Sequence, residues 1–183
     1  MSRFYRVVVA VAASGVLAFA LSPATAVGGG KNHCKQKYGP KKCQKSKEGR
    51  MTGHGTVDTA AYGRSHHEFR NSVCNSDRFP DLKVQWDGNR FDLTAYSSPL
   101  TCTDRPGFDE GQPNAGFDTI TGQGTGVLNG VSGTTASFSF TDAGEPGRGD
   151  RATITITDAD GNLVFDILDV EIEPGGNHQA HRR

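Results

Sequence analysis

The sequence lacks a long apolar segment anywhere after its first 26 residues, so no membrane-spanning helix is predicted there. It also lacks a nucleophile elbow, a zinc-protease helix, a phosphate-binding loop, a dinucleotide fingerprint and any specific nucleic-acid-binding motif. No stretch of even ten residues after residue 26 carries apolar side chains at helical spacing. These absences give no motif from which an activity can be assigned, and they predict a chain with very little helix.

The first 26 residues have the organisation of a signal peptide. Arg3 and Arg6 precede an uncharged, mostly apolar run from Val7 to Ala20, and the small residues Ala24-Thr25-Ala26 follow as a cleavage site. That run of about 14 residues is shorter than the roughly 20 that a bilayer-spanning helix needs. We therefore expect residues 1–26 to be removed and the mature protein to be secreted and extracellular, without a membrane anchor.

A net charge of zero conceals two oppositely charged parts. Residues 31–50 carry eight basic residues and one acidic residue (+7), whereas residues 51–183 carry ten basic and 19 acidic residues (−9). We predict a flexible basic arm over residues 27–50 and an acidic β domain over residues 51–183. The arm either binds a polyanion, which is an anionic cell-wall polymer or glycan, extracellular nucleic acid or lipid head groups, or remains a soluble tail or an intramolecular partner of the acidic domain. Its polyanion-binding candidates are Lys35, Lys37, Lys41, Lys42, Lys45 and Lys47.

Four cysteines in an exported chain predict two disulfides, although four cysteines allow three connectivities. Cys34 and Cys43 share the basic arm, and Cys74 and Cys102 share the acidic domain, so we favour pairing within each part. A zinc site is the alternative, but neither pair has the two-to-four-residue spacing typical of zinc ligands.

Apolar and polar residues alternate along short segments after residue 51, the pattern of an antiparallel sheet. The alternation is clearest in Leu82–Trp86, Phe91–Ala95, Ala136–Phe140 and Ala152–Ile156. Hairpin turns are predicted at Asp87-Gly88-Asn89 and at Asp160-Gly161. We predict an all-β fold, an antiparallel β-sandwich or jelly-roll-like single domain preceded by the flexible basic arm.

The segment after Asp160-Gly161 changes its alternation partway along. Its apolar residues first occupy odd positions and then even ones: Leu163, Phe165 and Ile167, followed by Leu168, Val170 and Ile172. One extra residue near Ile167 restores a single buried face, so the sequence predicts a β-bulge or sharp bend there.

Two adjacent histidines, His66 and His67, lie in another predicted strand. Neighbouring side chains on a strand face opposite ways, and Phe69 shares the parity of His67. We therefore predict that His67 points inward and His66 outward.

Five phrases follow one another in the acidic domain: Trp86-Asp87-Gly88-Asn89-Arg90-Phe91, Ala115-Gly116-Phe117-Asp118-Thr119, Gly122-Gln123-Gly124-Thr125-Gly126, Phe140-Thr141-Asp142-Ala143-Gly144-Glu145-Pro146-Gly147 and Gly176-Asn177-His178-Gln179-Ala180-His181. This succession resembles the post-COAP domain family of exported bacterial proteins over about residues 51–181. The resemblance implies a secreted β domain with a cysteine pair matching Cys74 and Cys102, and it implies no activity. The arm with Cys34 and Cys43 lies outside it.

Two segments contain candidate metal ligands. Asp142, Glu145 and Asp150 place three carboxylates in nine residues, and carboxylate oxygens are ligands that Ca²⁺ prefers. His178 and His181 are candidate Zn²⁺ or Cu²⁺ ligands near the end of the sequence. The alternatives are a solvated hairpin connection for the carboxylates, and a frayed terminus or a structural docking role for the histidines.

The function that these observations favour is a secreted, non-enzymatic binding or structural module at the bacterial cell surface. One alternative is a carboxylate-dependent glycoside hydrolase, for which the first candidates are Asp109, Glu110, Asp142 and Glu145. Another is an extracellular metal-binding protein that uses the carboxylate loop with His178 and His181. No cofactor is predicted beyond these Ca or Zn candidates.

Overall fold

The structure is a computed structural model that describes residues 49–78, 80–108 and 115–182. The basic arm up to residue 48, with Cys34, Cys43 and its lysines, lies outside the described residues, as do Asp109 and Glu110. The described part of the chain holds ten β-strands. None of the described segments forms a helix that could span a bilayer.

The strands are β1 (Gly49–Thr59), β2 (Gly63–Val73), β3 (Leu82–Trp86), β4 (Asn89–Tyr96), β5 (Thr101–Thr103), β6 (Thr119–Leu128), β7 (Val131–Thr141), β8 (Arg151–Thr157), β9 (Leu163–Glu171) and β10 (Asn177–Arg182). They form one antiparallel sheet in the order β10-β1-β2-β3-β4-β6-β7-β8-β9, and β5 pairs with β6. Within the described residues β9 and β10 end this order, so the sheet is not closed by strand pairing.

The two halves of the sheet pack face to face around one hydrophobic core. Phe69 on β2 stacks on Phe140 on β7 with ring centroids 4.2 Å apart, although three strands separate β2 from β7 in the sheet order. Trp86 on β3 meets Phe165 on β9 at 4.6 Å. The predicted all-β, sandwich-like fold is therefore confirmed.

Alternation along the strands explains why this core forms. On β8, Ala152, Ile154 and Ile156 are fully buried, whereas the threonines between them are only partly buried. Leu82, Val84 and Trp86 behave in the same way on β3. Each Å² of apolar surface removed from water stabilises the fold by about 25 cal/mol. Burial of one apolar face on each strand therefore supplies the main favourable free energy of folding.

Both predicted hairpins are present. Asp87 and Gly88 form a two-residue turn between β3 and β4, and their positive φ angles of 41° and 74° match the type I′ turn that fits strand twist. The β8–β9 connection is longer, because Thr157 pairs with Leu163. There the Asp158 carboxylate accepts hydrogen bonds from the backbone of Asp160 and Asn162.

The predicted bulge lies on β9. Ala152 pairs with Val170 but Ile154 pairs with Ile167, so β9 has one residue more than β8 between these pairs. Asp169 takes a positive φ of 52°, and its backbone N–H donates to the Thr153 hydroxyl instead of to a strand carbonyl. The extra residue lets Phe165 and Ile167 stay buried while Leu168 is 65% exposed.

A disulfide joins Cys74, the residue after β2, to Cys102 on β5. Backbone bonds between Asn75 and Leu100 (2.8 Å) and between Leu100 and Ser76 (3.0 Å) hold the two segments beside it. The predicted pairing of Cys74 with Cys102 is confirmed, and the prediction for Cys34 and Cys43 falls outside the described residues.

Candidate functional site

The outer edge of strand β10 is held by side chains instead of by another strand. β10 pairs with β1 on one side, in a register that sets Gly53 opposite His178. The backbone N–H of His178 donates to the Asp150 carboxylate at 2.6 Å, and that of Ala180 donates to the Asp142 carboxylate at 2.8 Å. Asp142 and Asp150 both belong to the β7–β8 connection, and we call them the carboxylate clamp.

Each member of the carboxylate clamp also binds its own loop. The second oxygen of Asp142 accepts from the Gly144 N–H, and that of Asp150 accepts from the Ala143 N–H, both at 2.8 Å. Both side chains are buried, and Asp150 is fully so. Burial raises the pKa of Asp150 to about 6, against the opposite effect of its backbone hydrogen bonds to His178 and Ala143.

Beside the clamp lies a buried histidine pair. The Nε2 atoms of His67 and His178 are 2.8 Å apart, and His178 Nδ1 is 3.1 Å from the carbonyl oxygen of Thr141. A carbonyl only accepts, so His178 Nδ1 carries the proton and its Nε2 accepts from the Nε2–H of His67. Both ring nitrogens of His178 are therefore used by protein partners.

Aromatic rings enclose this pair. His67 stacks on Phe140 with centroids 5.1 Å apart, and His178 meets the edge of the same ring at 5.3 Å. Burial lowers the pKa of His178 to about 4, and burial together with His178 lowers the pKa of His67 well below its usual value. Both imidazoles are neutral at neutral pH. The prediction that His67 points inward and His66 outward is confirmed.

An open groove of about 300 Å³ lies across β10, β1 and β2. Its lining is Thr52, Gly53, His54, Glu68, Phe69, Arg70, Asn177 and Gln179. Glu145 does not line the groove but fixes two side-chain amides that do. Its carboxylate accepts hydrogen bonds from Gln179 Nε2 at 2.7 Å and from Asn177 Nδ2 at 3.4 Å. Glu68 and Arg70 form an ion pair. We call this surface the β10–β1–β2 groove.

The structure brings together four of the five predicted metal ligands, but in other roles. Asp142 and Asp150 bind backbone N–H groups, Glu145 binds amides, and His178 binds His67 and Thr141. The Nε2 atom of the fifth, His181, lies 3.3 Å from the Thr52 hydroxyl. In residues 49–78, 80–108 and 115–182 no three His, Cys, Asp or Glu side chains are arranged to hold a metal ion. These contacts do not identify the five residues as metal ligands.

Sequence reasoning named Asp142, Asp150 and His178 but missed what they bind. The inward direction of His67 follows from strand parity, whereas its partner His178 lies 111 residues away. No local pattern indicates a contact over that separation. The groove was also missed, because its residues come from three strands at the two ends of the domain sequence.

Comparisons of the chain with protein-family models, with curated proteins and with solved structures find no match. Membership of the post-COAP domain family therefore stays a prediction. The groove, the carboxylate clamp and the buried histidine pair carry the functional proposals that follow.

Proposed function

We propose that this chain is a secreted, non-enzymatic binding module of the bacterial cell surface, and that its β10–β1–β2 groove binds a cell-wall glycan. The observation that supports this most is the lining of the groove. It combines amides, an imidazole, a hydroxyl and a carboxylate–guanidinium pair on adjacent strands of one sheet. Such groups supply both hydrogen-bond donors and acceptors, which the hydroxyl groups of a glycan can pair with.

The lining is organised in advance of any ligand. Glu145 fixes the amide of Gln179 at 2.7 Å, and the carbonyl of Gly175 lies 3.2 Å from His54 Nε2. Side chains that are already fixed lose less rotamer freedom on binding, a cost of about 0.5–1.5 kcal/mol for each mobile side chain. This favours a groove that recognises a ligand over a merely solvated surface.

The basic arm adds a second contact in this proposal. Residues 31–50 carry a net charge of +7, which attracts a phosphate-rich or carboxylate-rich wall polymer with an affinity that falls as salt rises. The arm then works as a tether, and the groove supplies recognition. A secreted module of this kind agrees with the resemblance to the post-COAP domain family, which carries no assigned activity.

The hydrolase alternative gains no support from the described residues. The Asp142 carboxylate is buried and accepts two backbone N–H groups, and Glu145 is held by two amides. A glycosidase needs two carboxyl groups facing one bond of the substrate, about 5–10 Å apart. Asp109 and Glu110 lie outside the described residues.

Binding to soluble fragments of bacterial cell-wall glycan, measured by calorimetry, tests the groove. We expect Arg70→Ala and Gln179→Ala each to weaken binding at least about tenfold, the loss of one good hydrogen bond to a charged or planar group. Gln85→Ala is the matched control, because Gln85 is exposed on neighbouring β3 but does not line the groove. Unchanged unfolding temperatures would show that both groove variants remain folded.

Two results would contradict the groove. One is affinity unchanged in both groove variants, and the other is affinity lost equally in Gln85→Ala. Retention on whole wall polymer, compared with and without residues 31–48, tests the tether separately. If deletion of the arm abolishes retention and the groove variants leave it unchanged, the result would support the tether and reject the groove as the recognition site.

A further inference from the structure

We propose that the docking of strand β10 is a pH-sensitive latch, in which His67 and His178 hold the strand while neutral and release it when they take up protons on acidification. This device goes beyond the binding function proposed above. It rests on the geometry of two buried imidazoles, and it operates with or without a ligand.

The docked arrangement has room for at most one additional proton. The 2.8 Å separation of the two Nε2 atoms holds one hydrogen, which His67 supplies while His178 keeps its Nδ1 hydrogen for Thr141. If both Nε2 atoms carry a hydrogen, the two N–H groups point at each other and repel, and the hydrogen bond is lost. A single added proton is accommodated at His67 Nδ1 while the bond between the two Nε2 atoms is kept, and the imidazolium then stays buried.

Among the described residues, no carboxylate contacts the ring nitrogens of His178, so none neutralises an imidazolium there. Asp150 contacts the backbone N–H of His178, and Asp142 contacts that of Ala180, while the ring nitrogens face Thr141 and His67. The surrounding ionisable groups on the packed elements are His54, His66, His181, Asp142, Glu145 and Asp150, with the Glu68–Arg70 ion pair on the outer face. His54 and His66 oppose protonation of His67 further.

Release of β10 gives both imidazoles access to water. Each then takes up a proton near its ordinary pKa of 6.5, whereas in the docked state the pKa of His178 is about 4 and that of His67 is lowered well below its usual value. The released form therefore binds more protons than the docked form between about pH 6.5 and pH 4. Lowering the pH through this window favours release.

Asp150 opposes the histidines over part of this range. Its pKa is about 6 while it is buried against β10, compared with an ordinary value of 3.8, so release frees a proton between these two values. On release of β10, His67 and His178 each take up one proton and Asp150 loses one. The net uptake is therefore about one proton per molecule below pH 6. We expect the equilibrium constant for release to rise roughly 100-fold from pH 7 to pH 4.5.

Release has a consequence for the groove. Asn177 and Gln179 of β10 form one of its walls, so ligand contacts are lost when the strand leaves. That consequence rests on the proposed function, whereas the latch itself does not. A module of this kind releases its ligand in an acidic environment.

Amide hydrogen exchange of the ligand-free protein, followed by mass spectrometry and corrected for intrinsic exchange rates, tests the latch directly. We expect protection of β10 (Asn177–Arg182) to fall roughly 100-fold from pH 7 to pH 4.5, while protection of the β6–β7 hairpin changes much less. Equal loss of protection in all strands, or unchanged protection of β10, would overturn the proposal. Because no ligand is present, neither result bears on glycan binding.

Variants locate the effect in the pair. In His67→Phe/His178→Phe the two rings are replaced by rings of similar size that do not titrate, so acidification should no longer lower β10 protection. His66→Asn, at an exposed neighbouring position, is the control; it removes only a minor charge effect on His67 and should keep most of the dependence. A double variant that keeps the wild-type dependence would reject the assignment. If it does not fold, the wild-type exchange profile still decides.

Discussion

The carboxylate of Asp142 accepts a hydrogen bond at 2.8 Å from the backbone N–H of Ala180, 38 residues further along the chain. An edge strand normally presents a row of unpaired N–H and C=O groups to solvent. Here the β7–β8 loop supplies carboxylates where a neighbouring strand would supply carbonyls. The edge of β10 is thus closed by two side chains, which ties the C-terminal strand to the opposite half of the domain.

Removing one member of the carboxylate clamp should destabilise the whole domain. In Asp142→Ala the N–H groups of Gly144 and Ala180 lose their acceptor. Each buried unpaired group costs about 1–3 kcal/mol, so we expect the free energy of unfolding to fall by roughly 2–5 kcal/mol. Chemical denaturation measures this loss.

Asp160→Asn is the matched control for that substitution, because Asp160 is an exposed carboxylate in the neighbouring β8–β9 connection. We expect it to change the unfolding free energy by less than about 0.5 kcal/mol. A loss in Asp142→Ala no larger than in this control would show that the clamp adds nothing to stability.

Asp169, in the bulge on β9, forms ion pairs with Arg105 and Arg151, and these predict a loss of stability in acid. The Arg105 guanidinium, with a smaller effect from Arg151, lowers the pKa of Asp169 to about 2. Because the folded-state pKa lies below the ordinary value of 3.8, the stabilisation is present above about pH 4 and is lost as pH falls towards 2. The Asp169 side chain is 49% exposed, so solvent screening limits the effect to about 1 kcal/mol.

Asp169→Asn isolates this charge, since Asn also tolerates the positive φ at this position. We expect the variant to be about 0.5–1 kcal/mol less stable than the wild type at pH 7 and equally stable near pH 2. Asp87→Asn, at a hairpin position with the same kind of backbone, is the control. A difference between wild type and Asp169→Asn that persists at pH 2 would contradict the ion-pair explanation.

Features of the fold that depend on neighbouring residues were predictable from the sequence. Strand alternation places Ile154 and Ile156 in the core, Asp87-Gly88 specifies a type I′ turn, and the change of parity after Ile167 identifies the bulge. Each of these signals lies within a few residues of the feature that it predicts. Local steric and burial preferences decide such features before the rest of the chain is considered.

The site depends on distant residues and was predicted only in part. The sequence identifies Asp142 and Asp150 as a carboxylate loop, but the groups they bind on β10 lie 38 and 28 residues further on. A carboxylate suits a cation or a backbone N–H equally well when only its own segment is known. Asp142 and Asp150 bind backbone N–H groups because strand β10 lies beside the β7–β8 loop in the folded domain. The strand pattern does not specify that contact.

The glycine-rich phrase on β6 should be intolerant of even one methyl group. A Cβ at Gly126 would lie 2.5 Å from the Phe91 ring and 2.5 Å from the backbone oxygen of Asp92. The oxygen belongs to the adjacent strand and cannot rotate away. We expect Gly126→Ala to lower the unfolding free energy by about 1–3 kcal/mol or more, as overpacked cores do.

Gln123→Ala provides the comparison on the same strand, because Gln123 is exposed. Its effect should stay below about 1 kcal/mol, the span of β-propensity differences. Thermal unfolding of both variants distinguishes a packing effect from a general sensitivity of β6. Equal stability of Gly126→Ala and wild type would show that β4 moves aside at little cost.

The Cys74–Cys102 bridge closes a loop over a sequence separation of 28 residues. In the loop-entropy model such a bridge stabilises by roughly 3–4 kcal/mol, a large share of the margin of a small domain. We expect Cys74→Ala/Cys102→Ala to lose about this much unfolding free energy in chemical denaturation.

Cys34→Ala/Cys43→Ala is the control, because those cysteines are predicted to cross-link only the arm. It should leave the unfolding free energy of the β domain within about 0.5 kcal/mol of wild type. Equal losses in the two double variants would instead indicate that the arm is part of the cooperative unit.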